Sequence, residues 1–307
     1  RAILDPLPRA DRRVEFIVES VDALDADLTA LGERAGARGV RLLVRHGPGA
    51  DEIVALAAEL RVQAVYANHD DDPYALERDA HVGGALADLG VALHTSKDHV
   101  VFERSEVLTT SGKPYTVFTP YKAAWLAKLD DFFLKPYPVE RHAASLAAVP
   151  AGIAHALPTL ARLGFVKTNL ADLNVHGGNA AAEALFADFM TRIDDYAAAR
   201  EYPAVKGPSY LGVHLRFGTI SIRRVAAAAR ARAATAGKHA RGAETWLSEL
   251  IWRDFYQQVL HHVPHVVGAA CKPAYDHLRF EHGRHGDDAF AAWCDGRTGY
   301  PLVDAAM

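Results

Sequence analysis

From Glu244 the chain runs without a glycine or proline until Pro264, a stretch too long for a strand and right for a helix. Leu247, Leu250, Ile251, Phe255 and Val259 recur along it at helical spacing and mark a core-facing stripe. A second row, Trp246, Glu249, Arg253 and Tyr256, recurs every three or four residues. That spacing puts an indole, a carboxylate, a guanidinium and a phenol on one side of the rod, with Trp252 flanking it. Solvent-facing helix surfaces seldom carry two Trp, and core surfaces seldom carry Glu with Arg. Two readings fit. The row is a ligand surface for a planar molecule with polar edges, or it is a buried aromatic face with an internal ion pair. Spacing alone does not choose between them.

At 307 residues, half of them hydrophobic, the chain is long enough for two domains. No apolar run is long enough to span a membrane, and no secretory leader or membrane partner is expected. Cys271 and Cys294 are its only cysteines, too few for a disulfide framework, so a reducing cytoplasm is the expected setting. A net charge of −4 gives no general pull toward nucleic acid, and any such contact has to come from a local basic patch. The chain opens on Arg1 and closes on Leu302–Met307 within an apparent helix, so it is expected to be a piece of a longer protein.

The first half alternates helical and β-branched segments. Residues 10–38 carry Leu, Val and Ile at helical spacing; Gly39–Arg45 is a candidate strand; Asp51–Leu60 a helix; Gln63–Ala67 a strand; Tyr74–Leu89 a helix; Val91–His94 a third strand. Short loops between such elements predict an α/β fold, a doubly wound parallel sheet of Rossmann-like type. Gly47-Pro48-Gly49 lies between strand and helix. It lacks the spacing of a dinucleotide loop and the lysine of a phosphate loop, so a tight turn competes with a phosphate role.

After Trp125 the composition changes. Pro136, Pro138, Pro150 and Pro158 interrupt residues 130–179, which are expected to form a surface connector. The expected division is therefore 1–129, 130–179 and 180–307. Leu185, Phe186, Phe189, Met190, Ile193 and Tyr196 predict one helix over 180–200, with Tyr196 and Arg200 on one face. A Gly/Pro-rich loop through Pro208, Ser209, Tyr210, Leu211 and Gly212 follows, and Ser221 is a candidate cap for the next helix. Arg223, Arg224, Arg230, Arg232, Lys238 and Arg241 form either a solvated helix face or a phosphate-binding stripe. His261, His262 and His265 lack metal-ligand spacing, and no metal is expected.

Several blocks, in one order, resemble the photolyase/cryptochrome family, most closely its bacterial class I pyrimidine-dimer enzymes. They are Gly112-Lys-Pro-Tyr-Thr-Val-Phe-Thr-Pro-Tyr121 with Trp125, the Tyr196/Arg200 pair, Trp246-x-x-Glu-Leu-x-Trp-Arg-Asp-Phe-Tyr256, and Arg297-Thr-Gly-Tyr-Pro-Leu-Val-Asp-Ala-Ala-Met307. The resemblance implies an antenna domain followed by an all-α FAD-binding domain, both truncated. The family's opening strand has no counterpart here, nor have its Asn-Arg pair, its Asp-rich flavin segment and its electron-relay tryptophans.

By the same resemblance, FAD is met by Tyr196, Pro208, Ser209, Tyr210, Leu211, Gly212, Trp246, Glu249 and Arg253. DNA is met by Arg200, Glu249, Trp252, Arg253 and Tyr256. Glu249 and Trp252 receive the damaged bases and count as the catalytic pair. The family's Ser/Thr-rich phosphate loop keeps a single hydroxyl here, Ser209, and proline removes one N–H donor. The implied activity is light-driven repair of cyclobutane pyrimidine dimers in DNA by a monomer. An antenna chromophore, a folate-type pterin or a deazaflavin, is also implied, its identity open. The alternatives are a cryptochrome-type photoreceptor without repair activity and a truncated fragment that is inactive.

Overall fold

The structure is a computed structural model that describes residues 3–235, 237 and 240–307; Lys238 of the basic run lies outside the described residues. Helix α1 (Arg12–Arg34) starts where the Asp11 carboxylate accepts from the Arg13 N–H, a side-chain cap for an otherwise unpaired donor. Helix α2 (Gly49–Leu60), strand β1 (Ala64–Asn68), helix α3 (Pro73–Asp88) and strand β2 (Ala92–Ser96) follow. The strands pair in parallel, from Ala64 opposite Ala92 to Asn68 opposite Ser96. Ala57, Val82, Leu86 and Val91 fill the small core of this layer. The α/β class is as expected.

One expected strand does not form. Gly39–Arg45 is outside the sheet, which among the described residues has two strands. Its backbone groups find other partners. The Leu42 N–H donates to Asp25 at 2.8 Å, Gly39 O accepts from the Val149 N–H, and Arg41 forks onto Asp25. A strand is defined by its neighbour, and these contacts satisfy the segment without one.

The larger core belongs to the helices. Helix α4 (Phe118–Lys128) contributes Tyr121 and Trp125. After a 3-10 turn at Val139–Ser145 and the short α5 (Leu160–Leu163), α6 (Asn179–Met190) adds Phe186 and Phe189. Helices α9 (Ile222–Thr235) and α10 (Ala240–His262) pack through Ala226, Ala229 and Ala243, all fully buried, and small side chains let two helices come close. Val101, Phe102, Leu129 and Leu134 join the same core, so the boundary expected at residues 129 and 130 falls inside it.

The single helix expected over 180–200 is broken. α6 ends at Met190, a 3-10 turn covers Ile193–Asp195, and α7 (Tyr196–Ala199) resumes. Gly242 of α10 lies against the break: a Cβ there would stand 2.2 Å from Ile193 O and 2.3 Å from Asp194 O. Only glycine allows so close an approach.

Helix α8 (Gly212–Phe217) precedes α9, and α11 (Gly283–Cys294) and α12 (Pro301–Ala306) close the chain. Neither closing helix has a buried residue. The Thr298–Asp304 signature has a local structural role: the Asp304 carboxylate accepts from the N–H groups of Thr298 and Gly299. These bonds, with the Thr298 hydroxyl first, hold its carboxyl below the usual range. Among the described residues no helix is long and apolar enough to cross a membrane.

Candidate functional site

Helix α10 does not present its polar row as one surface. Trp246 is buried, 4.7 Å from the Phe189 ring and 6.0 Å from that of Phe186. Arg253 is half-buried. Its guanidinium donates to the carbonyls of His99 and Leu215, and burial pulls its pKa down. The indole and the guanidinium thus belong to the inner side of the rod. Glu249 and Tyr256 belong to the outer side, where Tyr256 is 61% exposed.

On that outer side three elements meet. Arg200, just past α7, donates from Nη1 to Glu249 Oε1 at 2.6 Å. Its guanidinium lies 5.3 Å over the Tyr196 ring. Tyr196 is itself buried edge-on against Phe189, and this burial raises its pKa. The hydrogen bond to Glu249 raises that of Arg200. Each partner is about a third exposed, so solvent screens the pair and limits its worth to roughly 1 kcal/mol or less.

Trp252 is half-buried. Its ring lies 3.6 Å from that of Phe118, at 8°, and 5.5 Å from that of Tyr256. Phe118 comes from the first turn of α4, out of the Val-Phe-Thr-Pro block. Sequence reasoning gave it no site role, although a Phe placed one residue before a Thr-Pro helix start was the available signal. The Trp252–Tyr256 pair, whose centroid distance lies in the offset-stacked range, contributes about 0.5–1.5 kcal/mol beyond area burial.

The loop before α8 lies at the end of α7. A Cβ on Gly207 would stand 2.6 Å from the Ala199 carbonyl, and Arg192 Nη1 donates to the carbonyls of Gly207 and Pro208, both at 2.9 Å. Tyr210 takes a left-handed backbone, φ 56°, with its ring exposed, while Leu211 is fully buried. Ser209 Oγ accepts from the Leu211 N–H. Gly212 has open space where a Cβ would project, and α8 opens without a side-chain cap. Its first N–H groups are therefore left for other acceptors.

The inner side is organised around Asp254, which sequence reasoning passed over. Asp254 Oδ2 accepts from Val101 N and Phe102 N, both at 3.1 Å, and from Trp125 Nε1 at 3.0 Å. Oδ1 has no partner among the described residues, nor has the side-chain amide of Gln258 one turn on. Burial outweighs the three donors and pushes the carboxyl up to about 6. Buried Arg223 donates to the carbonyls of Asp98 and Val100. Residues 98–102 are thus clamped by α9 and α10.

Three others of the basic run are paired at the surface: Arg224 with Glu183, Arg230 with Asp131, Arg232 with Asp194. His261 bonds Asp71 and His262 the Arg104 carbonyl, tying the end of α10 to the first half. Among the described residues no His/Cys/Asp/Glu group suits a metal ion. At Gly47, the Glu52 carboxylate occupies the place a Cβ would take, which favours the tight turn over an anion site. One concavity, about 940 Å³, runs between α1 and Val139–Leu146, and a smaller one of about 480 Å³ lies by Ala10–Arg13 and Thr168. Neither is lined by α10.

The family profile "DNA photolyase" matches residues 3–142, and "FAD binding domain of DNA photolyase" matches 246–307. Deoxyribodipyrimidine photo-lyases are 34% identical in Synechococcus (98% of this chain, 62% of that protein) and 38% identical in Halobacterium salinarum (97% and 60%). A class III photolyase structure from Agrobacterium tumefaciens superposes with a TM-score of 0.80 at 26% identity, over 97% of this chain and 59% of that one. The chain belongs to the DNA photolyase/cryptochrome family. It spans about 60% of the length of the curated relatives it matches.

Proposed function

We propose that the protein repairs cyclobutane pyrimidine dimers in DNA with light and FAD. The observation that carries this reading is the outer edge of α10, where Glu249, Arg200 and the Trp252 stack meet within reach of solvent. A dimer turned out of the duplex loses stacking and pairing, and the protein has to replace both. Trp252 and Tyr256 offer ring faces, Glu249 offers a carboxylate for base N–H groups, and Arg200 offers a fork for a phosphate.

The chain's residues fit FAD at its phosphate end. The turn through Ser209, Tyr210 and Gly212 has an open backbone, a free ring and uncapped N–H donors. The same residues do not enclose a ring system, because Trp246 and Arg253 are held by Phe186, Phe189 and backbone carbonyls. Their part is to shape the inner side from behind. When bound, reduced FAD supplies the light-excited electron donor. The chain's own part is to hold the DNA, orient the base edge and exclude water. An antenna pterin or deazaflavin, a monomeric state and a cytoplasmic setting belong to the same reading. Cys271 and Cys294, both free and exposed, suit a reducing compartment.

The test is repair itself. Purified chain with reduced FAD should regenerate pyrimidines from a dimer-containing oligonucleotide under blue light and not in the dark. In that assay Glu249→Ala should lower the yield at saturating DNA more than it lowers affinity. Flavin photochemistry without dimer splitting would favour the receptor reading. Failure to retain any flavin absorbance would favour an inactive piece.

A further inference from the structure

The repair reading gives Arg200 and Glu249 different DNA partners, a phosphate and a base edge. In the structure each is the other's partner, Nη1 to Oε1 at 2.6 Å. Neighbouring cations are matched in the same way: Arg192 and Lys206 share Asp188, and Arg224 pairs with Glu183. These cations are thus matched by the chain's own acids. We infer that the Arg200–Glu249 pair is a latch, closed in the free protein and opened when a backbone phosphate takes the guanidinium. The ligand's identity rests on the repair reading; the latch adds the order of events, backbone first and base edge second.

The energetics allow the exchange. A screened pair between groups a third exposed is weak. A phosphate accepts two parallel bonds from a guanidinium, and charge-assisted bonds of that form are the stronger kind. Arg200 has other partners when it turns: its guanidinium carbon is 5.3 Å from the Tyr196 ring centre, and Glu201 Oε1 is 3.6 Å from its Nε. Once Arg200 has turned, Glu249 is an acceptor without a cation, beside the Trp252 stack. The carboxylate becomes available to a base only where a phosphate is already docked.

A double-mutant cycle on binding of an undamaged double-stranded oligonucleotide, followed by fluorescence anisotropy at fixed low salt, tests this without any photochemistry. Glu249→Gln should tighten binding about two- to five-fold when Arg200 is present. In an Arg200→Gln background the same change should shift affinity by less than about 1.5-fold. Glu201→Gln removes an equal charge nearby without touching the Nη1 bond and should tighten binding less than Glu249→Gln does. Equal effects of Glu249→Gln in both backgrounds would mean simple charge repulsion and overturn the latch while leaving DNA binding intact. No binding by any form would overturn the repair reading and the latch with it.

Discussion

The two sides of α10 carry two acids less than two turns apart, and they have opposite fates. Asp254 faces inward, fully buried, holding three N–H donors from two other segments on one oxygen. Glu249 faces outward with a single arginine for company. The inner acid fixes where residues 98–102 sit against the helices; the outer one can change partners. Buried carboxylates are costly unless bonded and hard to remove once bonded, whereas half-exposed ones cost little to rearrange. One helix can therefore be scaffold on one side and binding edge on the other.

The largest expected effect breaks the inner side. Asp254→Ala strands the N–H groups of Val101, Phe102 and Trp125, and each buried donor without an acceptor costs about 1–3 kcal/mol. Urea unfolding should show a loss on the order of 3–5 kcal/mol. Glu249→Ala in the same assay should lose under about 1 kcal/mol. Comparable losses at the two positions would mean that the sides do not differ in kind.

A somewhat smaller effect concerns pH. The folded Asp254 carboxyl sits at about 6 against an ordinary value of 3.8, so between those values the folded state binds the extra proton. The Asp254 contribution to stability is then highest below about pH 4, falls as pH rises through about 6, and levels off above it. The cost of holding the bare charge is on the order of 3 kcal/mol. Asp254→Asn keeps an acceptor for the three donors and removes the charge. Its stability relative to the parent should therefore rise between pH 4 and pH 7.5, read by chemical denaturation at each pH. A gap that stays constant across this window would show that Asp254 takes up its proton equally in the folded and unfolded states and is more hydrated than its surroundings suggest.

Much of the fold was legible because its signals are periodic and local. The apolar stripe of α10 and the parallel β1–β2 pair came from spacing, as did the start of a helix at Ile222. Gly39–Arg45 misled because strand composition says nothing about whether a neighbour exists. The break at 191–195 was invisible in a continuous apolar pattern, since what packs against it is Gly242, remote in sequence and pressed on the Ile193 and Asp194 carbonyls. In the candidate site, the outer pair Arg200–Glu249 joined two motifs picked separately. The inward turn of Trp246 and Arg253 was not readable, because a row at intervals of three and four spans a wide arc of the helix. Packing by Phe186, Phe189 and Leu215 decides which part of that arc is buried. Asp254 gave no signal at all: a single acid inside an aromatic run looks like a surface residue until its donors are in place.

The smallest expected effect sharpens the outer side. Glu249→Gln keeps shape and hydrogen-bonding capacity and removes only the charge that Arg200 faces. Arg200 keeps its contact with Tyr196 and its second carboxylate at Glu201, so the loss in stability should stay within about 0.5 kcal/mol. Because the pair is screened, that loss should shrink further as salt is raised from low to physiological strength. A drop well above this, or one insensitive to salt, would place Glu249 among the structural acids with Asp254. The outer edge could not then serve as an exchangeable latch, since opening it would undo the packing of α7 on α10.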